Sequence, residues 1–315
     1  MRIGAAFLII VLLYFIAVVF LVHGVEKTFA APPPEPFEDP RWSIASAIEW
    51  NVGLGFSWAF WYGQWTRLAK TERTAYHGTL WGWGILSCTA GIFAALTAII
   101  VGSFDPTDWL VASQIAAVPV IDLAMIIVAN VSSIALLIYP MSITFRSRFP
   151  NIKWGYVVGI MTLGGVLLEL IPGVFDSYGV YLAYIALLTG IYGGVMIGDY
   201  LLTRGTYKLR ALYNRSIGYR YVGGFNLNAL IATVVAVAFY LWTLDPLSWT
   251  SANGLFPLIT AGIPSYFLAM VLYILLTKSG IFGKAGAYMP GKTIPTPAAV
   301  AAVKTPDASI DVKRS

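Results

Sequence analysis

The sequence predicts an all-α polytopic membrane protein. Three observations carry that reading. Of 315 residues, 58% are hydrophobic and 11% are charged, with a mean hydropathy of +0.75, whereas soluble domains are about one quarter charged. Apolar runs recur along the chain, each near the roughly 20 residues that a helix needs to cross a bilayer. Lysine and arginine fall in alternate connections, the bias that orients membrane helices.

Eight segments are long and apolar enough to span, at 3–22, 45–65, 79–102, 117–139, 154–175, 179–201, 227–244 and 256–277. The first is an unbroken apolar run from Ile3 to Val22, longer than the roughly 7–15 residues of a secretory signal core. It therefore reads as a retained span, despite a weak cleavage-like site at Ala30-Ala31. The connection 24–44 contains Pro-Pro-Pro-Glu-Pro, which cannot continue a helix. With the N-terminus cytoplasmic, every basic residue except Lys27 and Arg41 lies on the cytoplasmic side. Both termini are then cytoplasmic, at the plasma (inner) membrane. Residues 1–278 form the transmembrane domain. The tail 279–315 is rich in Ala, Pro, Lys and Thr, has no periodic apolar face, and is expected to be disordered.

Enzyme chemistry is not written here. The two histidines, His23 and His77, are far apart, and no paired-cysteine, nucleophile-elbow, zinc-protease or phosphate-loop motif occurs. Cys88 is the single cysteine and lies in an apolar segment, where it reads as a small packing residue. No cofactor is expected.

Polar groups inside spans are costly in hydrocarbon and point to function. The second span carries Asn51, Ser57 and Gln64; the fourth carries Asp122, Asn130, Ser132 and Ser133; Glu169 and Asp199 stand near the ends of the fifth and sixth. The second span also holds Gly53 and Gly55, followed by Phe56, Ser57 and Trp58. Transporters expose backbone groups to substrate where a helix breaks at mid-membrane, and aromatic rings beside a break can stack on a flat ligand. Packing explains Phe56 and Trp58 equally well, and Trp50 and Trp65, near the interfaces, read as belt residues. In the fourth span the hydroxyls of Ser132 and Ser133 are hard oxygen ligands of the kind Na⁺ takes, or they bond back to their own helix. Gly190, Gly194 and Gly198 make a small-residue face for close helix approach. Asp199 beside Arg204 reads as a structural charge cluster.

The stretch Gly190 to Tyr213, GIYGGVMIGDYLLTRGTYKLRALY, resembles the signature of the nucleobase:cation symporter-1 family, carriers of cytosine, purines, uracil, allantoin and hydantoins. Phe225 to Leu230 is similar to the opening of that family's eleventh helix, and Gln64 to Lys70 to the end of its sixth, although an Asp usually stands at Gln64. The resemblance runs over most of residues 1–278. It implies a cation-coupled permease working by alternating access on a five-plus-five inverted-repeat fold with two extra helices. The eight spans correspond to family helices five to twelve, so the family's first four helices have no counterpart. The chain would then keep the second repeat whole and only the last helix of the first. The alternative reading is a truncated product, or one half of a split transporter whose facing helices come from a separate chain, with no transport activity alone. Carried over residue by residue, the family's stacking aromatic falls on Phe56, with Trp58 as the second choice, and the backbone groups of Gly53 and Gly55 complete the expected substrate site. The cation site falls on Ala129, Ser132 and Ser133, with Na⁺ or H⁺ as the coupling ion.

Overall fold

The computed structural model describes residues 10, 13, 16, 17, 20, 21, 24–30, 37–59, 61–102, 119–174, 177–204 and 225–282. Among them every regular element is helical, and the sole β feature is an isolated antiparallel bridge between Asp245 and Thr250. Three helices, Glu72–Val101, Tyr178–Thr203 and Gly262–Ser279, are long and apolar enough to cross a membrane; Trp154–Glu169 and Leu227–Thr243 are shorter and apolar. The protein is an all-α polytopic membrane protein. The expected first span lies mostly outside the described residues, as do the proline run 32–36, the basic connection 205–224 and the tail beyond 282. The chain divides into two compact units, Met1–Tyr184 and Ile185–Ser315.

In the first unit, α1 (Val25–Ala30) precedes α2 (Pro40–Ala59). Proline suits a first helical position, where its missing N–H is not needed. Asp39 Oδ1 accepts from the Arg41 N–H at 2.8 Å and satisfies one of the open amides of the helix start. The buried face of α2 is Ala45, Ser46, Glu49 and Gly53, close to the four-residue spacing of one helical stripe. The double glycine does not break this helix: α2 runs unbroken through Gly53 and Gly55. Glycine costs a helix interior about 1 kcal/mol against alanine, and at Gly53 close packing offsets that cost. A Cβ there would collide with the Leu182 carbonyl, coming within 2.9 Å of its carbon. The interruption comes later, where Trp61 N–H bonds to Trp58 O at 2.9 Å before α3 (Tyr62–Thr66) begins.

The next helix starts earlier than hydropathy suggests. Thr71 is extended and its side chain accepts from the Thr74 N–H at 3.1 Å, so α4 begins at Glu72 and runs to Thr79. A π-helical segment, Leu80–Leu86, joins it to α5 (Ser87–Val101), which Gly102 ends in the left-handed conformation at φ 73°. Cys88 is exposed on α5 rather than packed inside, because the buried positions of that helix are Thr97 and Ala98. Helix α6 spans Pro119–Arg148, past the expected end at 139, and packs along α7 (Trp154–Glu169) with Tyr139 edge-on to Trp154 at 6.1 Å. Ile127, Val131, Leu163 and Leu167 remain exposed on these helices, as lipid-facing residues do.

The helix Tyr178–Thr203 comprises α8 (Tyr178–Ile185), a π-helical stretch Ala186–Gly190, and α9 (Ile191–Thr203). In the second unit α9 and α10 (Leu227–Thr243) pack against α12 (Gly262–Ser279). The small-residue face works as a close contact. A Cβ at Gly194 would meet the Tyr266 carbonyl, and one at Gly198 would come within 3.1 Å of Met270 O and Tyr273 Cδ1. Ala232, Ala236, Tyr240, Ala269 and Tyr273 fill the core. The expected last span is interrupted: α11 (Phe256–Ile259) stops at Thr260, which has φ 59°, before α12 begins.

Candidate functional site

The residues singled out on the second span separate onto two faces of α2. Gly53 is buried against Leu182. Gly55 lies nearly opposite, and a Cβ there would meet nothing within 4 Å. Trp58 follows one turn after Gly55 on α2, and Tyr62 and Trp65 follow on α3 beyond the interruption. The aromatic rings touch. Trp58 and Trp65 lie 5.5 Å apart between centroids, and Tyr62 and Trp65 6.5 Å apart. Trp83, from the π-helical segment, meets Trp58 at 4.4 Å with planes tilted by 41°, and Tyr62 at 6.1 Å. Phe56 is half-buried on the same helix.

Because α2 is unbroken, the amides of Gly53 and Gly55 sit within a continuous helix and not at an opening, so the expected free backbone donors are not there. The polar side chains nearby are bonded within their own helix as well. Asn51 Nδ2 donates to Ala47 O at 2.8 Å, and Ser57 Oγ donates to Leu54 O at 2.6 Å.

On α6, Ser132 is half-buried and Ser133 exposed; the side chains of Ala129 and Asp122 lie outside the described residues. Glu169 is exposed at the end of α7. Asp199 has a partner that its neighbours in sequence do not suggest: its Oδ1 accepts from the Tyr273 hydroxyl at 2.7 Å. That hydroxyl in turn lies 3.4 Å from Asn226 Nδ2, which donates to it. A cavity of about 420 Å³ opens at the α3–α4 turn, lined by Thr66, Arg67, Lys70, Thr71 and Glu72 among others, and none of the expected site residues borders it.

Two residues escaped the sequence reading. Glu49 is fully buried on the Gly53 face, and among the described residues it is the sole charged side chain that is buried. Its place one helical turn before Gly53 was the available signal. Trp83 gave no signal, since a π-helical turn shifts which side chains share a face.

Apolar helices long enough to cross a bilayer, with exposed aliphatic faces, define a multi-pass membrane protein. Residues 4–267 match the family described as permease for cytosine/purines, uracil, thiamine, allantoin, and the chain belongs to that family. No curated protein and no solved structure matches the chain. The protein is therefore a permease for nucleobases and related small molecules, embedded in a membrane.

Proposed function

We propose that the chain takes up a planar nitrogen heterocycle such as cytosine, a purine, uracil, allantoin or hydantoin by cation-coupled alternating access, at the plasma (inner) membrane with both termini cytoplasmic. The observation that supports this most is Gly55, which leaves open space one turn from the Trp58 ring. A flat ligand can approach the helix there and stack on Trp58 or Phe56. Gly53 contributes by holding α2 close to Leu182.

The coupling ion is Na⁺ or H⁺. The hydroxyls of Ser132 and Ser133 with the Ala129 carbonyl are the oxygen set for Na⁺. For H⁺, Glu49 is a buried carboxyl able to carry it.

The test is uptake of radiolabelled cytosine, uracil, allantoin and hydantoin into proteoliposomes that hold this chain alone. Saturable uptake of one of them, lost in Phe56→Ala or Trp58→Ala and driven by an imposed Na⁺ or H⁺ gradient, supports the reading. Saturable uptake that both variants retain counts against the stacking site. Uptake only when a second chain is co-reconstituted assigns the facing helices to that chain.

A further inference from the structure

Aromatic rings from α2, α3 and the π-helical segment meet in one cluster beyond Phe56. Interfacial tryptophans commonly serve as a belt, with the ring in the headgroups and the N–H in water. Trp81 fits that description, being 60% exposed. Trp83, two residues on, does not: it is in ring contact with both Trp58 and Tyr62. Trp65 does not fit either, because its Nε1 is buried and has no hydrogen-bond partner among the described residues.

A buried N–H without a partner is costly and calls for an acceptor. The segment that delivers Trp83 is also unusual. Leu80–Leu86 is π-helical over its whole length, a conformation that is rare and often found at functional sites. Gly82, beside Trp83, leaves open space where a Cβ would be. Trp58, Tyr62, Trp65 and Trp83 thus form one cluster of touching rings, with no side chain at Gly55 or Gly82 and one buried, unpartnered donor at Trp65.

We propose that Trp83 is a second stacking residue for the transported heterocycle and that the Trp65 indole N–H donates a hydrogen bond to a carbonyl or ring-nitrogen acceptor on it. The proposal rests on the transport reading above and extends the same site by two residues. Nucleobases present both a π-face and such acceptors, so one residue of each kind recognises the class. Trp65 supplies the donor that the unbroken α2 does not.

The experiment measures equilibrium binding of labelled cytosine, uracil, allantoin and hydantoin to the full chain in nanodiscs, with Trp83→Ala, Trp83→Phe, Trp65→Phe, Trp81→Ala and Phe56→Ala, each checked for folding. Trp83→Ala is expected to weaken binding by about 10-fold, as loss of one stacking partner does, and Trp83→Phe to recover most of it. Trp65→Phe keeps a ring but removes the donor, and is expected to weaken binding by about 5–10-fold. Trp81→Ala is expected to bind like the parent. If Trp83→Ala does not fold, Trp83→Leu against Trp83→Phe decides, since both are apolar and only one is aromatic. Parent-like binding by the Trp83 and Trp65 variants, with loss in Phe56→Ala, overturns the proposal and leaves the transport site standing. Failure of the parent to bind any of the four ligands overturns the transport reading and this proposal with it.

Discussion

The Tyr273 hydroxyl donates to Asp199 Oδ1 at 2.7 Å, joining residues 74 positions apart on α12 and α9. Hydrogen bonds to charged groups contribute roughly 1.5–3 kcal/mol, so Tyr273→Phe is expected to destabilise the second unit by about that amount. Asp199→Asn keeps an oxygen that accepts from Tyr273 and is expected to cost less. Thermal denaturation of the purified variants in detergent compares the two. Equal losses mean that the hydroxyl–carboxylate pair is not what holds these helices.

Gly53 and Gly55 differ by two residues and are expected to respond oppositely to alanine. Gly53→Ala forces a Cβ onto the Leu182 carbonyl and is expected to destabilise by about 1–3 kcal/mol, the usual cost of overpacking. Gly55→Ala meets open space, and helix propensity favours it by about 1 kcal/mol. It is expected to fold at least as well as the parent and yet to take up substrate poorly, since the added methyl narrows the approach to Trp58. Melting temperature and uptake, measured on the same preparations, separate the two effects.

Glu49 is buried on the α2 face that carries Gly53. Glu49→Gln keeps the size and removes the charge. If Glu49 carries the coupling proton, the variant folds and binds substrate but no longer accumulates it against a gradient, and exchange across the membrane continues. Accumulation at the parental level assigns Glu49 a packing role. Binding, exchange and net accumulation assays on one preparation distinguish these outcomes.

Asp245 lies in the exposed connection between α10 and α11, outside the spans. The Ser248 hydroxyl, at 2.7 Å, and the Leu247 N–H, at 3.0 Å, hold its carboxyl below the ordinary value of 3.8. A carboxyl whose folded value is depressed stabilises above its unfolded value, and that stabilisation is lost as pH falls through the folded value. The parent is therefore expected to melt higher than Asp245→Asn at neutral pH, with the difference closing as pH falls below about 3.8. Melting curves from pH 7 downward test the sign; a gap that widens on acidification contradicts it.

The helical membrane class was legible because composition and apolar run length depend little on how the helices pack. Boundaries were less so. Hydropathy begins the third span at 79, whereas the Thr71 cap sets the helix start at Glu72. The proposed site was legible in part. Gly55, Phe56 and Trp58 could be picked out by residue type, but the separate duties of Gly53 and Gly55 depend on where Leu182 lies. Trp83 stayed hidden because a π-helical turn departs from the 3.6-residue repeat used to assign faces. Tyr273 stayed hidden because the pairing with Asp199 is made by the tertiary fold alone.

Asn226 does two jobs with one amide group. Its oxygen accepts from the Ala229 N–H at 3.2 Å and starts α10, while its nitrogen donates to Tyr273 at 3.4 Å. The two ends of the amide are therefore chemically assigned and cannot be exchanged. Asp at this position would still start the helix but would set two carboxylates competing for one hydroxyl proton, and Ser would start it with too short a reach to Tyr273. The amide that starts α10 thereby also ties that start to α12, so the helix cap and one helix–helix contact depend on the same side chain.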